Sequence, residues 1–516
     1  MMNGRAKKIL RLLLMISLLF AAGRVEQSLN VDRDRLGMTQ MSALENAPPM
    51  LAFTTVALGG FRGLISNFLW IRANDLQQDD KFFEAAQLAN WITDLEPHFS
   101  QVWVFQGWNM AYNISVKFKD FPDRWRWVEN GFTLLRDKGL YYNPDDVLIY
   151  RELAWDFQHK MGANLDDANI YYKSQWAKEM NPFFGPKGTN FTALLNPHTL
   201  EEKTNATVLR EQFKLDPAFA EKVNEEWGPL DWRMPETQAI YWGAKGLEAA
   251  KRNPDKVKSD DLIMLRRIIY QSMQQSFYHG RIIANPYNQT YSLGPNLDLV
   301  QKANDAYLKS YEDETQPGQR EGILRAHRNF LRDAVYFLYE NYRLAEAAKW
   351  YKVLADRYPD KIILDGDPTS FPKNLTMEEY AVRRVQLELD DTSEERTTAV
   401  VQGLLSNAYV DLALGEDDRY EGFVNLVKQI YKHYNARTAS NGVNSTRIPL
   451  PNYNDLNRSV LRDLLDPQDG LPYAARAVLR TQLGMAPETN APAASPSGAA
   501  SLTNTDQVIS TNSAAQ

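Results

Sequence analysis

Apolar residues recur along most of this chain at spacings of three and four, which lines one face of an α-helix, and strand-like alternation is nearly absent. Prolines stand just after several of these periodic stretches, at Pro97, Pro144 and Pro182, where they stop a helix from continuing. The stretch DDKFFEAAQLANWITDLEP (79–97) puts Ala85, Ala89 and Ile92 on one face. LDDANIYYKSQWAKEMNP (165–182) repeats the layout with Ala168, Tyr172 and Trp176, and NYRLAEAAKWYKVLADRYP (341–359) repeats it again with Ala347, Tyr351 and Leu354 before Pro359. Between residues 183 and 235 the pattern loosens around Pro186, Pro197, Pro217, Pro229 and Pro235, predicting an irregular insertion with short helices. Helices are then predicted over Pro235–Lys251 and Asp260–Tyr278, followed by a loop over Asn285–Asn296. Beyond Pro487 the chain is Ala, Ser, Thr, Asn and Pro, too poor in large apolar residues to offset ordering entropy, so a disordered tail is expected.

These units resemble the tetratricopeptide repeat, a helix, turn and second helix of about 34 residues. Counting back from Pro359 puts Ala347 and Tyr351 on the family's small and aromatic positions of the second helix. A repeat ending at Pro97 puts Trp103 and Gly107 on the opening positions of the next first helix. The match has departures: Val335 replaces a small residue, Gly139 is a poor helix residue before Pro144, and several units need insertions. The segments 59–77, 92–113 and 230–248 also resemble exported repeat proteins of several bacterial groups. The resemblance implies an all-α, helical-hairpin solenoid with an early array over 66–182, a loop-rich helical insertion over 183–321, a later array over 322–486 and the tail over 487–516.

Location is written in the first residues. Arg5, Lys7, Lys8 and Arg11 precede the apolar run LLLMISLLFAAG (12–23), which has a signal-peptide core's flank and falls short of the roughly 20 residues of a full span. Extending the run back to Ile9 gives a short uncleaved anchor, the reading adopted here, with cleavage after Gly23 as the alternative. Basic residues on the inner side then place the body in the periplasm, held at a bacterial inner membrane. A linker and entry helix fill 24–65. The second apolar stretch, Met50–Trp70, carries Arg62 and several glycines and so predicts a packed first helix rather than another span.

Charge and composition narrow the chemistry. The net charge is −7 and the N-terminal run is itself basic, so the body is acidic and nucleic acid is not an expected partner. With no cysteine, thiolate metal sites, thiol nucleophiles and a lipid-bearing cysteine are excluded. No G-x-S-x-G turn or phosphate-binding loop occurs, and the histidines at 98, 159, 198, 279, 327 and 433 form no i, i+4 pair with one another. Asp390, Asp391 and Glu394 have the D-D-x-x-E spacing that can chelate magnesium, yet Thr392 and Ser393 beside them favour a helix start whose dipole the acids complement. Asp365 and Asp367 read as turn residues. Neither a cofactor nor a metal is expected.

The positive signal is aromatic. Trp70, Trp91, Trp103, Trp108, Trp125, Trp127, Trp155 and Trp176, eight of the 12 tryptophans, precede residue 183. The repeat resemblance implies that one first-helix position, held by Trp108, Trp155 and Tyr336, faces a concave groove, with Tyr112, Arg151, Gln158, Arg332 and Tyr339 one turn away. Aromatics beside Arg and Gln suit an extended peptide or partner helix. The chain is therefore read as a scaffold binding protein or peptide partners, not as an enzyme. The alternative is an exported carbohydrate-binding or carbohydrate-active helical protein, in which distant carboxylates would pair.

Overall fold

Helix starts follow local chemistry that the sequence makes explicit. The Asp120 side chain accepts from the Asp123 backbone N–H with Pro122 in the first turn, Asp146 accepts from Leu148 and Ile149, and Thr199 and Glu202 form a reciprocal capping box. The computed structural model describes residues 61–185, 187–285, 290–389, 394–440 and 450–488, together with residues 17, 18, 21, 23–25 and 28. Most of the apolar run 12–23, the linker, Asp390 and Asp391, and the tail beyond 488 lie outside the described residues. Among the described residues no helix is long and apolar enough to cross a membrane.

The architecture is all-α with one small hairpin. In order come α1 (Phe61–Gln78), α2 (Phe82–Leu95), α3 (Ser100–Trp108), α4 (Phe121–Thr133), α5 (Val147–Trp155) and α6 (Asn169–Phe184). Then follow α7 (Leu200–Glu211), α8 (Pro217–Trp227), α9 (Pro235–Arg252) and α10 (Ser259–His279). After the hairpin β1 (Arg281–Asn285) and β2 (Thr290–Gly294) come α11 (Val300–Asp313), α12 (Pro317–Glu340), α13 (Leu344–Arg357), α14 (Met377–Leu389), α15 (Glu394–Leu414), α16 (Asp417–Ser440), α17 (Tyr453–Leu464) and α18 (Tyr473–Gln482). Neighbours such as α1 and α2, α9 and α10, α12 and α13, and α15 and α16 pack on one another across short connections. One continuous buried cluster reaches from Trp103 to Leu479.

Two local readings are corrected. Helix α6 passes through Pro182 and stops only at Gly185, whose φ of 69° suits glycine. A proline in the last turn sacrifices little of the ladder, and the extension buries Phe183 and Phe184, the latter against Trp232 at 5.4 Å between ring centroids. Within the expected loop over Asn285–Asn296, Asn285 and Thr290–Gly294 are instead strand, paired antiparallel in a hairpin of register Arg281↔Gly294. Its strands carry Ile282, Ile283, Thr290 and Tyr291, residue types that suit a pleated surface. Arg281 fixes it to the start of α16 through Glu416, at 2.8 Å.

Each of α3, α4 and α5 runs without a break into a π-helical turn, at Asn109–Ile114, Leu134–Gly139 and Asp156–Gly162. Such turns widen the helix and re-aim side chains, and they concentrate at functional sites. Helices α9 and α10, which follow the irregular segment, pack against α5 and its π turn. That places α5 between α3 on one side and α9 and α10 on the other.

Close approach of α3 and α4 depends on glycine. A Cβ at Gly131 would stand 2.8 Å from the Gly107 carbonyl oxygen, whereas one at Gly403, an exposed position on α15, would meet nothing within 4 Å. Gly131→Ala should therefore destabilise the protein by about 1–3 kcal/mol through overpacking against fixed backbone. Gly403→Ala should stabilise it by about 0.5–1 kcal/mol through helix propensity. Urea denaturation of both variants checks the pair, and shifts of the same sign would contradict the packing described.

Candidate functional site

Helix α5 carries Arg151, Glu152 and Trp155, and the π turn that continues it carries Asp156, His159 and Lys160. Arg151, Glu152 and Trp155 share the flank that faces α3, and there they line a cavity of about 520 Å³ with Gln101, Val104, Phe105 and Trp108 of α3. Trp70 of α1 and Met264 and Ile268 of α10 complete the lining. Its walls are thus aromatic and aliphatic, with Gln101, Arg151 and Glu152 as its polar groups.

The tryptophans are held by stacking beneath them. Trp108, 36% exposed, lies nearly parallel to Tyr112 with centroids 5.7 Å apart. Trp155 lies on His159 at 4.4 Å and 13°. The two supports are joined, since the Tyr112 hydroxyl and His159 Nδ1 are 3.2 Å apart. Trp70 meets Phe105 edge-on at 4.9 Å. These contacts pre-order flat surface before any ligand arrives.

Below the cavity the charges divide into paired and unpaired. Arg151 Nη1 donates to Asp261 Oδ1 at 2.6 Å, so its charge is compensated. Lys160 donates to Asp166 at 2.6 Å, and Arg124 meets the same carboxylate at 3.1 Å. Asp156, one turn beyond Glu152, is wholly buried, and neither of its carboxylate oxygens has a hydrogen-bond partner. Burial, reinforced by repulsion from Glu152 and opposed by Lys160, raises its carboxyl well above the usual range. Burial also lifts Glu152 to about 6 against the pull of Arg151. Burial and the Lys160 charge lower His159, which favours a neutral imidazole under Trp155.

The π turn ends at a second buried polar centre. A Cβ at Gly162 would lie 3.3 Å from Gln275 Oε1 and 3.4 Å from Glu236 Cγ, so glycine lets α9 and α10 close on the turn. Glu236 is fully buried in the first turn of α9, its raised carboxyl countered by Lys173 of α6. Lys173 Nζ donates to Asn164 and Asn169 at 2.9 and 3.2 Å.

The groove residues read from the sequence fall in two places. Trp108, Arg151 and Trp155 line the cavity and Tyr112 supports it. Gln158 is 3% exposed and bonds Gln271 of α10 at 3.0 Å, so it faces a neighbouring helix. Arg332, Tyr336 and Tyr339 lie on α12, away from the cavity. Arg332 pairs with Asp365 at 2.8 Å, the Arg384 guanidinium covers Tyr336 at 4.8 Å, and Tyr339 is 1% exposed. Asp367 is a turn residue, accepting from the Thr369 N–H at 2.9 Å. Sequence reasoning missed Trp70, Glu152, Asp156, Met264 and Ile268. Of these only Trp70 stood out in the sequence, as one of the early tryptophans. Among the described residues no group of His, Asp and Glu is arranged to hold a metal ion. No protein family, curated protein or solved structure matches the chain.

The raised carboxyls make a prediction about pH. A group that holds its proton more tightly when folded stabilises the fold fully below its unfolded value, and loses that contribution as pH rises through the folded value. For Glu152 the loss runs from about pH 4 to about 6; for Asp156 it begins at about pH 4 and extends upward. Asp156→Asn, which cannot ionise, should therefore gain stability relative to wild type between pH 5 and pH 8. Urea denaturation at both values measures the difference, and a constant difference would contradict burial of an unpaired carboxylate.

Proposed function

We propose that the chain is a helical-hairpin scaffold of the tetratricopeptide kind, held at a bacterial membrane by its N-terminal segment, and that the cavity between α1, α3, α5 and α10 receives a protein partner. The observation that supports this most is the meeting of Trp108 of α3 with Arg151 and Trp155 of α5 around one cavity, because the two helices belong to separate helical units. Two stacked tryptophans offer rigid area at low entropic cost, and the Gln101 and Arg151 side chains beside them can meet a partner's backbone. Small residues at Gly107, Gly131 and Ala347 suit close helix pairing within such units.

A second reading, glycan binding, draws on one feature. Flat aromatics beside Glu152, a carboxyl raised to about 6, also suit a sugar face and its hydroxyls. The protein-partner reading is preferred because the cavity's lining is mainly apolar, with few groups to satisfy many hydroxyls.

Two outcomes are expected. Trp108→Ala should weaken partner capture from solubilised membranes while costing less than about 1.5 kcal/mol of stability, since the ring is exposed. Trp103→Ala, which removes a ring 3% exposed whose Nε1 donates to the Pro97 carbonyl at 2.8 Å, should cost about 3–5 kcal/mol. Capture assays beside thermal melts make the comparison, and equal stability losses with capture falling only in proportion to folded protein would refute the cavity's role. For location, deleting residues 1–23 should move the protein from the membrane to the soluble fraction. A full-length chain found wholly soluble with its first residues intact would refute the anchor.

A further inference from the structure

The cavity's polar groups do not balance. Arg151 is neutralised by Asp261, while Lys160 and Arg124 are committed to Asp166. His159 is turned under Trp155 and disposed to be uncharged. Glu152 is left over. It lines the cavity and is 8% exposed, and its carboxylate makes no hydrogen bond or ion pair among the described residues, though Arg151 attracts it. Behind it stands Asp156, wholly buried and equally unpartnered. An unpaired buried carboxylate is costly unless a positive group joins it. Around Glu152 the walls are the faces and edges of Trp70, Phe105, Trp108 and Trp155. Aromatic faces attract cations through their quadrupole, and the attraction strengthens where water is excluded.

We propose that this cavity is an aromatic cage with an acidic floor that binds the ammonium group of a lysine side chain on a protein partner. The proposal rests on the partner-binding reading of the cavity and supplies the chemistry of the group that enters it. The four-carbon lysine stem passes along Val104, Met264 and Ile268, and the ammonium lies over the tryptophans with Glu152 as counter-ion. Lysine is the cation proposed because its ammonium is a compact point charge on a flexible stem, able to reach past the rings to a carboxyl only 8% exposed.

The test uses the full-length protein labelled with 5-fluorotryptophan, with the Trp108 and Trp155 fluorine lines assigned by substitution. Nα-acetyl-lysine methylamide should shift both lines at millimolar concentration. Its neutral isostere, Nα-acetyl-norleucine methylamide, should bind about tenfold more weakly. Glu152→Gln should remove that difference while leaving the far-UV circular dichroism unchanged, and Trp155→Ala should abolish the response of the Trp108 line. Equal responses to lysine and norleucine compounds would overturn the cation assignment, while the Trp108→Ala capture result would still decide whether partners use the cavity. No response to the lysine compound, or a response to N-acetylglucosamine alone, would also overturn it, the latter in favour of the glycan reading.

Discussion

A carboxylate with no partner, buried on a central helix, sets the terms for the rest of the protein. Asp156 has both oxygens unpartnered within the core, and Glu152 stands one turn before it. Taking an isolated carboxylate out of water is expensive, and the group responds by holding its proton. Everything near it follows from that cost. Lys160, the cation that opposes the shift, is held instead by Asp166, a carboxylate it shares with Arg124. The π turn Asp156–Gly162 widens the helix where these groups diverge, and Gly162 lets Gln275 and Glu236 approach it. Structural economy alone would favour an apolar residue at position 156.

Packing leaves this part of α5 open on one side. Helices α9 and α10 pack on α5, and the gap beside α5 is bounded by α1, α3 and α10. The gap is bordered by rings that already have partners underneath, Tyr112 below Trp108 and His159 below Trp155. Tyr112 and His159 in turn contact each other, so the two walls behave as one unit. A ligand entering here meets surface whose ordering entropy has largely been spent during folding.

Much of the fold was legible in the chain because helical periodicity and proline stops are local signals. The expected helices over Pro235–Lys251 and Asp260–Tyr278 are Pro235–Arg252 and Ser259–His279 in the structure. The hairpin after α10 was missed because its turn signals outweighed two short runs of strand-forming residues. Pro182 was taken as a stop because local rules give proline in a last turn no credit for the aromatic burial that follows it. The π turns left no sequence mark that helical periodicity could reveal. Trp108, Arg151 and Trp155 could be grouped by their positions within helical units. Glu152 and Asp156 could not, because an acid on an amphipathic helix ordinarily faces water, and Trp70, Met264 and Ile268 reach the cavity from distant segments.

The central claim is that a protein partner enters the cavity bordered by Trp108 and Trp155. Photo-crosslinking tests it most directly, with p-benzoylphenylalanine replacing Gln101, an exposed residue of the cavity lining. A parallel probe replaces Gln402, exposed on α15. The account predicts a discrete protein adduct from position 101 in cells of the native host, lost when Trp155→Ala is added and absent from position 402. Adducts that are equal from the two positions, or that persist unchanged with Trp155→Ala, would contradict it.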